Sequence, residues 1–267
     1  TKKTENMEEE KMNQNFERAF QLSGQVALIT GGGSGLGYAT AKCMAAAGAV
    51  VVIMGRREEV LQKACAELGD IVHYIVHDIT DVSAAQTVID RIVHDYGSID
   101  IIVNNAGRHC KKPVEEICIQ DFKNLMDVHL YGGFALTQAA IPYMKKKKHG
   151  SIIFISSESA LVALTNVCVY GSAKGALLGL TKCLAGDISK DGIRVNAIVP
   201  GFIDTPMFHQ AVDQDLPRQQ KILGHTPQCC YGKPEDIGWA ATYLSSEAAG
   251  FVNGSTLVVD GGFSIGF

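Results

Sequence analysis

The sequence has few aromatic residues, no excess of positive charge and no long apolar run, and these absences narrow the classes of protein it can be. Aromatic residues make up 7% of the chain, and 24 Lys and Arg stand against 28 Asp and Glu, a net charge of −4. A dedicated nucleic-acid binder usually carries a basic excess. No apolar run reaches the roughly 18 residues that a membrane helix needs, and the first residues lack the apolar segment of a signal peptide. We therefore expect neither nucleic acid nor membrane as a partner.

Cysteine is also sparse, with eight residues in a chain of 267 and no CxxC pair. Disulfide scaffolds and structural zinc sites need denser or more regularly spaced cysteines. The adjacent Cys229 and Cys230 have no cluster of further ligands nearby in the sequence. We expect reduced thiols, no bound metal and a cytoplasmic location.

The chain does contain a regular alternation of short β-branched runs and longer amphipathic segments. Its apolar fraction of 46% and its 28 glycines suit a parallel sheet that is buried on both faces. The short runs predict strands at 26–30, 50–54, 71–76, 99–103, 151–155, 194–199 and 256–259. The longer segments predict helices around 36–47, 57–68, 83–95, 120–147, 169–189 and 234–245. This order predicts a single α/β domain: a doubly wound, Rossmann-like, seven-stranded parallel sheet with helices on both faces.

Two segments interrupt this alternation. Residues 1–19 are polar and mixed in charge, so we expect an extension or a short exposed helix ahead of a domain at 20–267. Residues 202–232 are polar, contain three prolines and directly follow a predicted strand. Because ligands of open α/β sheets bind at the carboxyl ends of the strands, we expect this segment to be a loop that covers a substrate.

A glycine-rich turn, TGGGSGLG at 30–37, joins the first predicted strand to a predicted helix. Glycines permit positive φ and a close approach of phosphate to the backbone, and a helix N-terminus offers free N–H groups to an anion. The spacing differs from the GxGxxG fingerprint, and the turn lacks the Lys-Ser/Thr of an NTPase phosphate loop. Its place between a strand and a helix favours a dinucleotide site.

The second predicted strand is followed by Gly55, Arg56 and Arg57. Folds that select NAD usually have an acidic residue at this point, which binds the ribose 2′-hydroxyl. An arginine guanidinium instead suits a 2′-phosphate, so NADP(H) is favoured as the cofactor and NAD(H) stays possible. In the alternative interpretation, the two arginines only begin a solvated helix.

Three Tyr/Lys pairs have the four-residue spacing that places both side chains on one helix face: Tyr38/Lys42, Tyr143/Lys147 and Tyr170/Lys174. An ammonium beside a tyrosine stabilises the phenolate and lowers its pKa, which creates a general acid/base. Chance alone produces such pairs, so the spacing does not choose between them. We interpret the first two as surface pairs, because one follows the glycine turn and the other adjoins a run of four lysines.

Taken in order, the motifs resemble the short-chain dehydrogenase/reductase superfamily over residues 20–264. The matching segments are TGGGSGLG at 30–37, HDI at 77–79, NNAG at 104–107, ISS at 155–157, the Tyr170/Lys174 pair, IRVN at 193–196, PG at 200–201 and VDGG at 259–262. The resemblance implies an NAD(P)(H)-dependent oxidoreductase that interconverts a secondary alcohol and its ketone by hydride transfer. It leaves the substrate open among sugar or polyol acids, hydroxysteroids, small xenobiotic carbonyls and 3-oxoacyl thioesters.

The resemblance also implies roles for individual residues. Tyr170 would be the general acid/base, Lys174 would lower its pKa and bind the nicotinamide ribose, and Ser157 would hold the substrate oxygen. Asp78 would contact the adenine, and the segment 200–205 the nicotinamide end. The full set of expected cofactor-binding residues is Gly31, Ser34, Gly35, Leu36, Gly37, Arg56, Asp78, Ile79, Asn104, Ala106, Gly107, Lys174, Pro200, Gly201, Ile203 and Thr205.

One residue departs from the family pattern: His129 stands where the family usually has a fourth catalytic residue, an Asn. In the family this position is a helix distortion whose backbone carbonyl binds a water that serves the lysine. His129 would preserve this relay through its own carbonyl, donate protons through its imidazole, or weaken the relay. The sequence leaves these three alternatives open.

Other features leave further alternatives. The basic segment 108–112 favours an anionic substrate or is simply a solvated loop. A non-catalytic nucleotide-binding regulatory protein on the same fold is an alternative function, although the intact Ser157, Tyr170 and Lys174 argue against it; double-bond reduction is another. The resemblance implies a homotetramer or homodimer formed through the helix that carries the Tyr/Lys pair and through the last strand.

Overall fold

The structure is a computed structural model that describes residues 14–213 and 215–266. Of the expected polar extension, residues 1–13 lie outside the described residues. Residues 14–20 are helical and mostly exposed, and we label them α1. All eight cysteines are free thiols. None of the helices in the described part of the chain combines the length and the apolar character that crossing a bilayer requires.

Within the described residues, seven strands form one sheet in the order β3-β2-β1-β4-β5-β6-β7, and every pairing is parallel. The strands are β1 Val26–Thr30, β2 Val50–Gly55, β3 Val72–Val76, β4 Ile101–Asn104, β5 Gly150–Ile155, β6 Ile193–Pro200 and β7 Thr256–Val259. Their ends differ from the predicted ones by at most two residues. The strand order reverses between β1 and β4, which opens a crevice at the carboxyl ends of these strands. The predicted doubly wound parallel sheet is confirmed.

Helices cover both faces of this sheet. The remaining α-helices of the described chain are α2 Gly35–Ala46, α3 Glu58–Leu68, α4 Ala85–Tyr96, α5 Ile119–Met126, α6 Gly132–Lys147, α7 Cys168–Ile188, α8 Pro206–Val212, α9 Leu216–His225 and α10 Pro234–Ser245. Leu28 of β1 belongs to the apolar cluster shared with α4, α6 and α7, whereas the next residue, Ile29, belongs to the cluster shared with α2 and α10. Because successive strand residues point to opposite faces, both faces of the sheet need apolar side chains.

Two predicted segments differ from the structure. The predicted helix 120–147 is divided into α5 and α6 by a π-helical turn, Asp127–Tyr131. The predicted loop 202–232 contains α8 and α9. Prolines stand in the first turn of both helices, where the missing N–H breaks no hydrogen bond, so they begin helices here instead of preventing them.

Side-chain caps begin both of these helices. The Thr205 hydroxyl accepts a hydrogen bond from the Phe208 N–H at 3.2 Å, and the Asp215 carboxylate accepts one from the Arg218 N–H at 3.1 Å. Such caps satisfy backbone N–H groups that a helix start otherwise leaves unpaired. The segment that the sequence marks only as polar therefore contains two capped helices, α8 and α9, next to the carboxyl ends of the strands.

Candidate active site

The carboxyl ends of the strands and the segment with α8 and α9 enclose a cavity of about 700 Å³. Most of the residues that the sequence singled out line this cavity: Gly31, Ser34, Gly35, Leu36, Arg56, Asp78, Ile79, Ala106, Gly107, His129, Ser157, Tyr170, Lys174, Pro200, Gly201, Ile203 and Thr205. These residues range from position 31 to position 205 of the chain, and the fold brings them to one place. The parallel sheet does this, because it carries the end of every strand to the same edge.

Two of the expected cofactor-binding residues, Asn104 and Gly37, lie behind the cavity wall and do not line it. The Asn104 side chain is buried, and its Nδ2 donates to the Thr137 hydroxyl at 3.0 Å. A Cβ at Gly37 would lie 2.6 Å from the Asn105 side chain, so this glycine allows α2 to pack against the turn. Neither residue lines the cavity, and their assignment as cofactor-binding residues stays a prediction.

Asn105, which the sequence analysis did not assign, lines the cavity and ties two strand ends together. Its Nδ2 donates to the Thr30 carbonyl at 2.9 Å. The Thr30 hydroxyl accepts from the backbone N–H groups of Asn105 and Ala106, both at 2.9 Å. These bonds fix the glycine turn against the end of β4.

The glycine turn has the geometry that a pyrophosphate needs. Gly31 and Gly35 have φ values of +68° and +54°, in the region that favours glycine. A Cβ at Gly35 would meet only the Thr205 side chain, at 3.9 Å, so the backbone is open on this side. The turn leads into the N-terminus of α2, which is the positive end of the helix dipole. The residues present therefore fit the phosphates of a dinucleotide.

The end of β2 offers positive charge beside this turn. The Arg56 guanidinium is 76% exposed and lies 3.8 Å from Asp78 Oδ2. Arg57 and His77 line the same end of the cavity. Asp78 is held by Thr80, whose N–H and hydroxyl donate to it at 3.0 and 2.8 Å, and these bonds keep the pKa of Asp78 below its ordinary value.

Tyr170, Lys174 and Ser157 come together at the other end of the cavity. Tyr170 and Lys174 lie on successive turns of α7, with Lys174 Nζ 5.6 Å from the centre of the tyrosine ring. The same Nζ donates to the Ile155 carbonyl at 2.7 Å. The Ser157 hydroxyl, just beyond β5, accepts from the N–H of Ser159 at 3.2 Å and from its hydroxyl at 3.1 Å.

The other two Tyr/Lys pairs lie away from the cavity. The Tyr38 hydroxyl donates to Glu67 at 2.9 Å, and the Tyr143 hydroxyl donates to Asp90 at 2.6 Å; both bonds are exposed. Of the three Tyr/Lys pairs, the tertiary structure therefore places only Tyr170/Lys174 at the cavity.

Burial controls the titration of this cluster. It lowers the pKa of the Lys174 ammonium to about 7. Burial, with a contribution from the Glu158 carboxylate, raises the pKa of Tyr170 above its ordinary value, while its hydrogen bond with Ser157 lowers it. Burial therefore outweighs the lowering by Lys174 that the resemblance implies, and in this state Tyr170 keeps its proton at neutral pH.

His129 lies within the π-helical turn, so the helix distortion that the resemblance implies is present at this position. Its Nε2 donates to the Arg108 carbonyl at 2.8 Å. Its Nδ1 is buried and has no partner within the described residues. Burial lowers the pKa of His129 to about 3, so the imidazole is neutral near pH 7 and does not serve as a charged proton donor.

Two more titratable side chains face the same space. The ring of His109 stacks on Tyr170, and burial lowers its pKa. Glu158 is only 5% exposed, and burial raises the pKa of its carboxyl group to about 7. The sequence analysis placed His109 only in a basic segment and missed Glu158, whose one signal was its position directly after the ISS motif.

Comparison with known proteins agrees with this geometry. Residues 31–264 match the family model described as enoyl-(acyl carrier protein) reductase. The chain is 36% identical over 250 residues to gluconate 5-dehydrogenase of Gluconobacter oxydans, which covers 92% of this chain and 97% of that protein. It is 34% identical over 249 residues to D-threitol dehydrogenase of Mycolicibacterium smegmatis, covering 92% of this chain and 95% of that protein. The chain belongs to the short-chain dehydrogenase/reductase superfamily.

A solved member of the superfamily has the same fold. The crystal structure of gluconate 5-dehydrogenase from Burkholderia cenocepacia in complex with NADP and tartrate has a TM-score of 0.89 and 34% identity, covering 94% of this chain and 99% of that one. The resemblance drawn from the motifs is confirmed. This short-chain dehydrogenase/reductase is an NAD(P)-dependent oxidoreductase that acts on CH–OH donors and the corresponding carbonyl compounds.

Proposed function

We propose that this short-chain dehydrogenase/reductase uses NADP(H) to interconvert a secondary alcohol and its ketone, with Tyr170 as the general acid/base. One observation carries the proposal. Ser157, Tyr170 and Lys174 converge at one end of a cavity whose other end holds the glycine turn and Arg56. When bound, NADPH supplies the hydride that the carbonyl carbon accepts.

The proton comes from Tyr170 in the direction of ketone reduction. Because burial raises its pKa, the hydroxyl is protonated at neutral pH and can donate to the carbonyl oxygen as negative charge develops there. Ser157 donates a second hydrogen bond to the same oxygen. Its hydrogen is aimed only weakly at Glu158, over 3.5 Å, and so can turn to the substrate. A bond that strengthens as charge develops lowers the barrier.

Lys174 acts on Tyr170 from within α7. Its bond to the Ile155 carbonyl uses one of three N–H donors, and the ammonium nitrogen lies 5.6 Å from the centre of the tyrosine ring. With a pKa of about 7, Lys174 gains and loses a proton near neutral pH. In its charged form it stabilises the phenolate that proton donation leaves behind.

The preference for NADP(H) is supported by Arg56. Its guanidinium is exposed beside the glycine turn and, among the residues that the structure describes, has one weak ionic contact, at 3.8 Å from Asp78. A 2′-phosphate would add charge-assisted hydrogen bonds there. NAD(H), which lacks this phosphate, would bind without them.

We also propose a cytoplasmic homotetramer or homodimer, in which residues 20–267 form one domain with a lid at 202–232. A Cβ at Gly175, Gly179 or Gly186 of α7 would meet nothing within 4 Å, so this helix face is smooth and open. The strand β7 lies at the edge of the sheet, with Val258 exposed. Both features suit packing against a second copy. Light scattering after size-exclusion chromatography tests the assembly, and a monomer would contradict it.

The experiment that tests the reaction is a spectrophotometric assay at the nicotinamide absorbance band. Pooled ketones and alcohols are offered with NADP(H) and with NAD(H) to the wild type, to Tyr170→Phe and to Tyr143→Phe. The last variant is the matched control, since it loses a tyrosine hydroxyl that is bonded to Asp90 at the surface. We expect Tyr170→Phe to abolish turnover while still binding NADPH, and Tyr143→Phe to behave as the wild type. Turnover that survives in Tyr170→Phe would contradict the assigned role.

A further inference from the structure

Two ionisable side chains that the proposed reaction does not use, Arg218 and Glu158, line the same cavity as Tyr170. We infer that Arg218 and Glu158 select a polyhydroxylated carboxylic acid, with Arg218 binding the carboxylate and Glu158 a hydroxyl group close to the reacting carbon. The inference rests on the proposed function of Tyr170, because that residue defines where the reacting carbon lies. It narrows the four substrate classes that the motifs left open to one.

Arg218 places a positive charge inside the cavity. It lies in the first turn of α9, is half-buried and lines the cavity wall. The Asp215 carboxylate caps its backbone N–H, which holds this helix turn in place. Among the described residues, no carboxylate pairs with the Arg218 guanidinium. A planar guanidinium with unused donors matches a carboxylate through two parallel hydrogen bonds.

The charge of Arg218 acts at the tyrosine end of the cavity. Burial raises the pKa of Glu158 and Arg218 partly offsets this rise, whereas at His109, whose ring covers Tyr170, burial lowers the pKa and Arg218 adds to the lowering. An anion bound by Arg218 would therefore belong to the substrate. The cofactor phosphates have their own positive groups at the glycine turn and at Arg56.

Glu158 directly follows Ser157 in the chain, and its carboxylate lies beside the Ser157 hydroxyl. It is 5% exposed, lines the cavity, and its carboxylate accepts one hydrogen bond from another side chain of the described chain, the Ser157 hydroxyl at 3.5 Å. Asp260 is also nearby, but its oxygens already accept the N–H groups of Gly262 and Ser264 at 2.8 and 2.7 Å. Glu158 thus has free capacity beside the residue that holds the reacting oxygen, and a substrate hydroxyl would fill it.

Arg218 and Glu158 have opposite charges, but within the described structure they form no ion pair. A sterol or an acyl chain placed between them would bury both groups without partners, which is costly. A hydroxy acid would pair both at once, one with its carboxylate and the other with a hydroxyl. Sites that bond a substrate hydroxyl reject analogues that lack it.

The carboxylate half of the inference is tested by calorimetry on NADPH-saturated enzyme. Gluconate has a carboxylate where sorbitol has a hydroxymethyl group, and the two are otherwise the same. Both are alcohols, so neither is reduced by NADPH during the measurement. We expect the wild type to bind gluconate at least tenfold more tightly than sorbitol. Arg218→Met should remove this preference and change sorbitol binding less than threefold. Lys221→Met is the matched control, because Lys221 is an exposed cation on the same helix outside the cavity wall.

The hydroxyl half is tested with gluconate and hexanoate, which share a carboxylate and a six-carbon chain. Glu158→Leu should weaken gluconate binding at least tenfold and leave hexanoate unchanged, and the isosteric Glu158→Gln should retain most gluconate affinity. Retained NADPH affinity shows that each variant is folded.

Failure of this inference is distinguishable from failure of the proposed function. Wild-type enzyme that binds gluconate no better than sorbitol, or equal losses in Arg218→Met and Lys221→Met, would overturn it. So would an equal loss of gluconate and hexanoate binding in Glu158→Leu. The proposed function fails separately, if Tyr170→Phe turns over any ketone. That variant should still bind gluconate, because it keeps Arg218 and Glu158.

Discussion

The imidazole of His109 lies stacked on the phenol ring of Tyr170, with ring centres 4.6 Å apart and planes inclined by 25°. His129 meets the same phenol edge-on, at 5.5 Å and 84°. The tyrosine is therefore held between a ring from the loop after β4 and a ring from the π-helical turn. Burial lowers the pKa of both histidines, so they contact Tyr170 as neutral aromatic rings and not as cations.

Replacing His109 tests whether this stack positions the proton donor. An aromatic pair contributes about 0.5–1.5 kcal/mol beyond simple burial, which corresponds to roughly 2- to 12-fold in rate. We expect His109→Ala to lower kcat within that range and His109→Phe to restore most of it, with the KM for NADPH unchanged. Steady-state kinetics with the preferred substrate measure both. A Phe variant as slow as the Ala variant would instead show that the imidazole nitrogens are needed.

Replacing His129 by the usual family residue tests the relay. With a pKa of about 3, the imidazole does not change charge between pH 6 and 8, and its Nε2 is engaged by the Arg108 carbonyl. We expect His129→Asn to turn over at least as fast as the wild type, with the same pH profile. Initial rates across this pH range provide the measurement. A collapse of activity would show that the imidazole itself takes part.

Arg56 is expected to discriminate between the two cofactors. Hydrogen bonds to charged groups contribute about 1.5–3 kcal/mol, so Arg56→Ala should weaken NADPH binding by roughly 10- to 160-fold. NADH binding should change less than threefold, because it has no 2′-phosphate. Fluorescence titration of each cofactor measures this, and Lys63→Ala, an exposed residue of α3 outside the cavity wall, is the charge control. Equal losses for both cofactors would contradict the assignment.

Glu158 is expected to make stability depend on pH in a defined window. Burial raises its pKa from 4.5 to about 7, so between these values the folded state binds more protons than the unfolded state. This contribution to stability is complete below pH 4.5 and is lost as the pH rises to 7. The free energy of unfolding of the wild type, relative to Glu158→Gln, should therefore fall across this window. Urea unfolding at a series of pH values measures it. A difference in the free energy of unfolding between the two proteins that stays constant from pH 4.5 to 7 would contradict the raised pKa of Glu158.

Lys174 acts in the opposite sense and in a different window. Its folded pKa of about 7 lies below its ordinary value of 10.5, so the unfolded state binds more protons between these values. Stability from this group rises with pH above 7 and does not interfere with the Glu158 window.

The sequence by itself determined the sheet and most of the residues that line the proposed cofactor end of the cavity. Parallel strands buried on both faces need continuous β-branched runs, and these runs placed the strands within two residues of their observed ends. The glycine turn, the residues after β2 and the spacing of Tyr170 and Lys174 are local patterns, and local backbone geometry follows from them. The sequence predicted one continuous helix over 120–147 and not the π-helical turn within it, because the residues of that turn keep helical periodicity. The prolines at 206 and 217 led to the prediction of a loop. Proline is common both in turns and in the first turn of a helix, so its presence alone does not distinguish the two.

Only the tertiary structure decided which groups meet. Sequence spacing could not choose Tyr170 over Tyr38 and Tyr143; the choice follows from α7 facing the cavity while the other two hydroxyls bond carboxylates at the surface. Arg218 and Glu158 are sixty positions apart, and nothing in either local segment points to the other. They share a cavity because the sheet order gathers the carboxyl ends of its strands, and because α9 lies over that edge. Periodicity encodes burial within a segment, whereas contact between distant segments arises from how the layers pack.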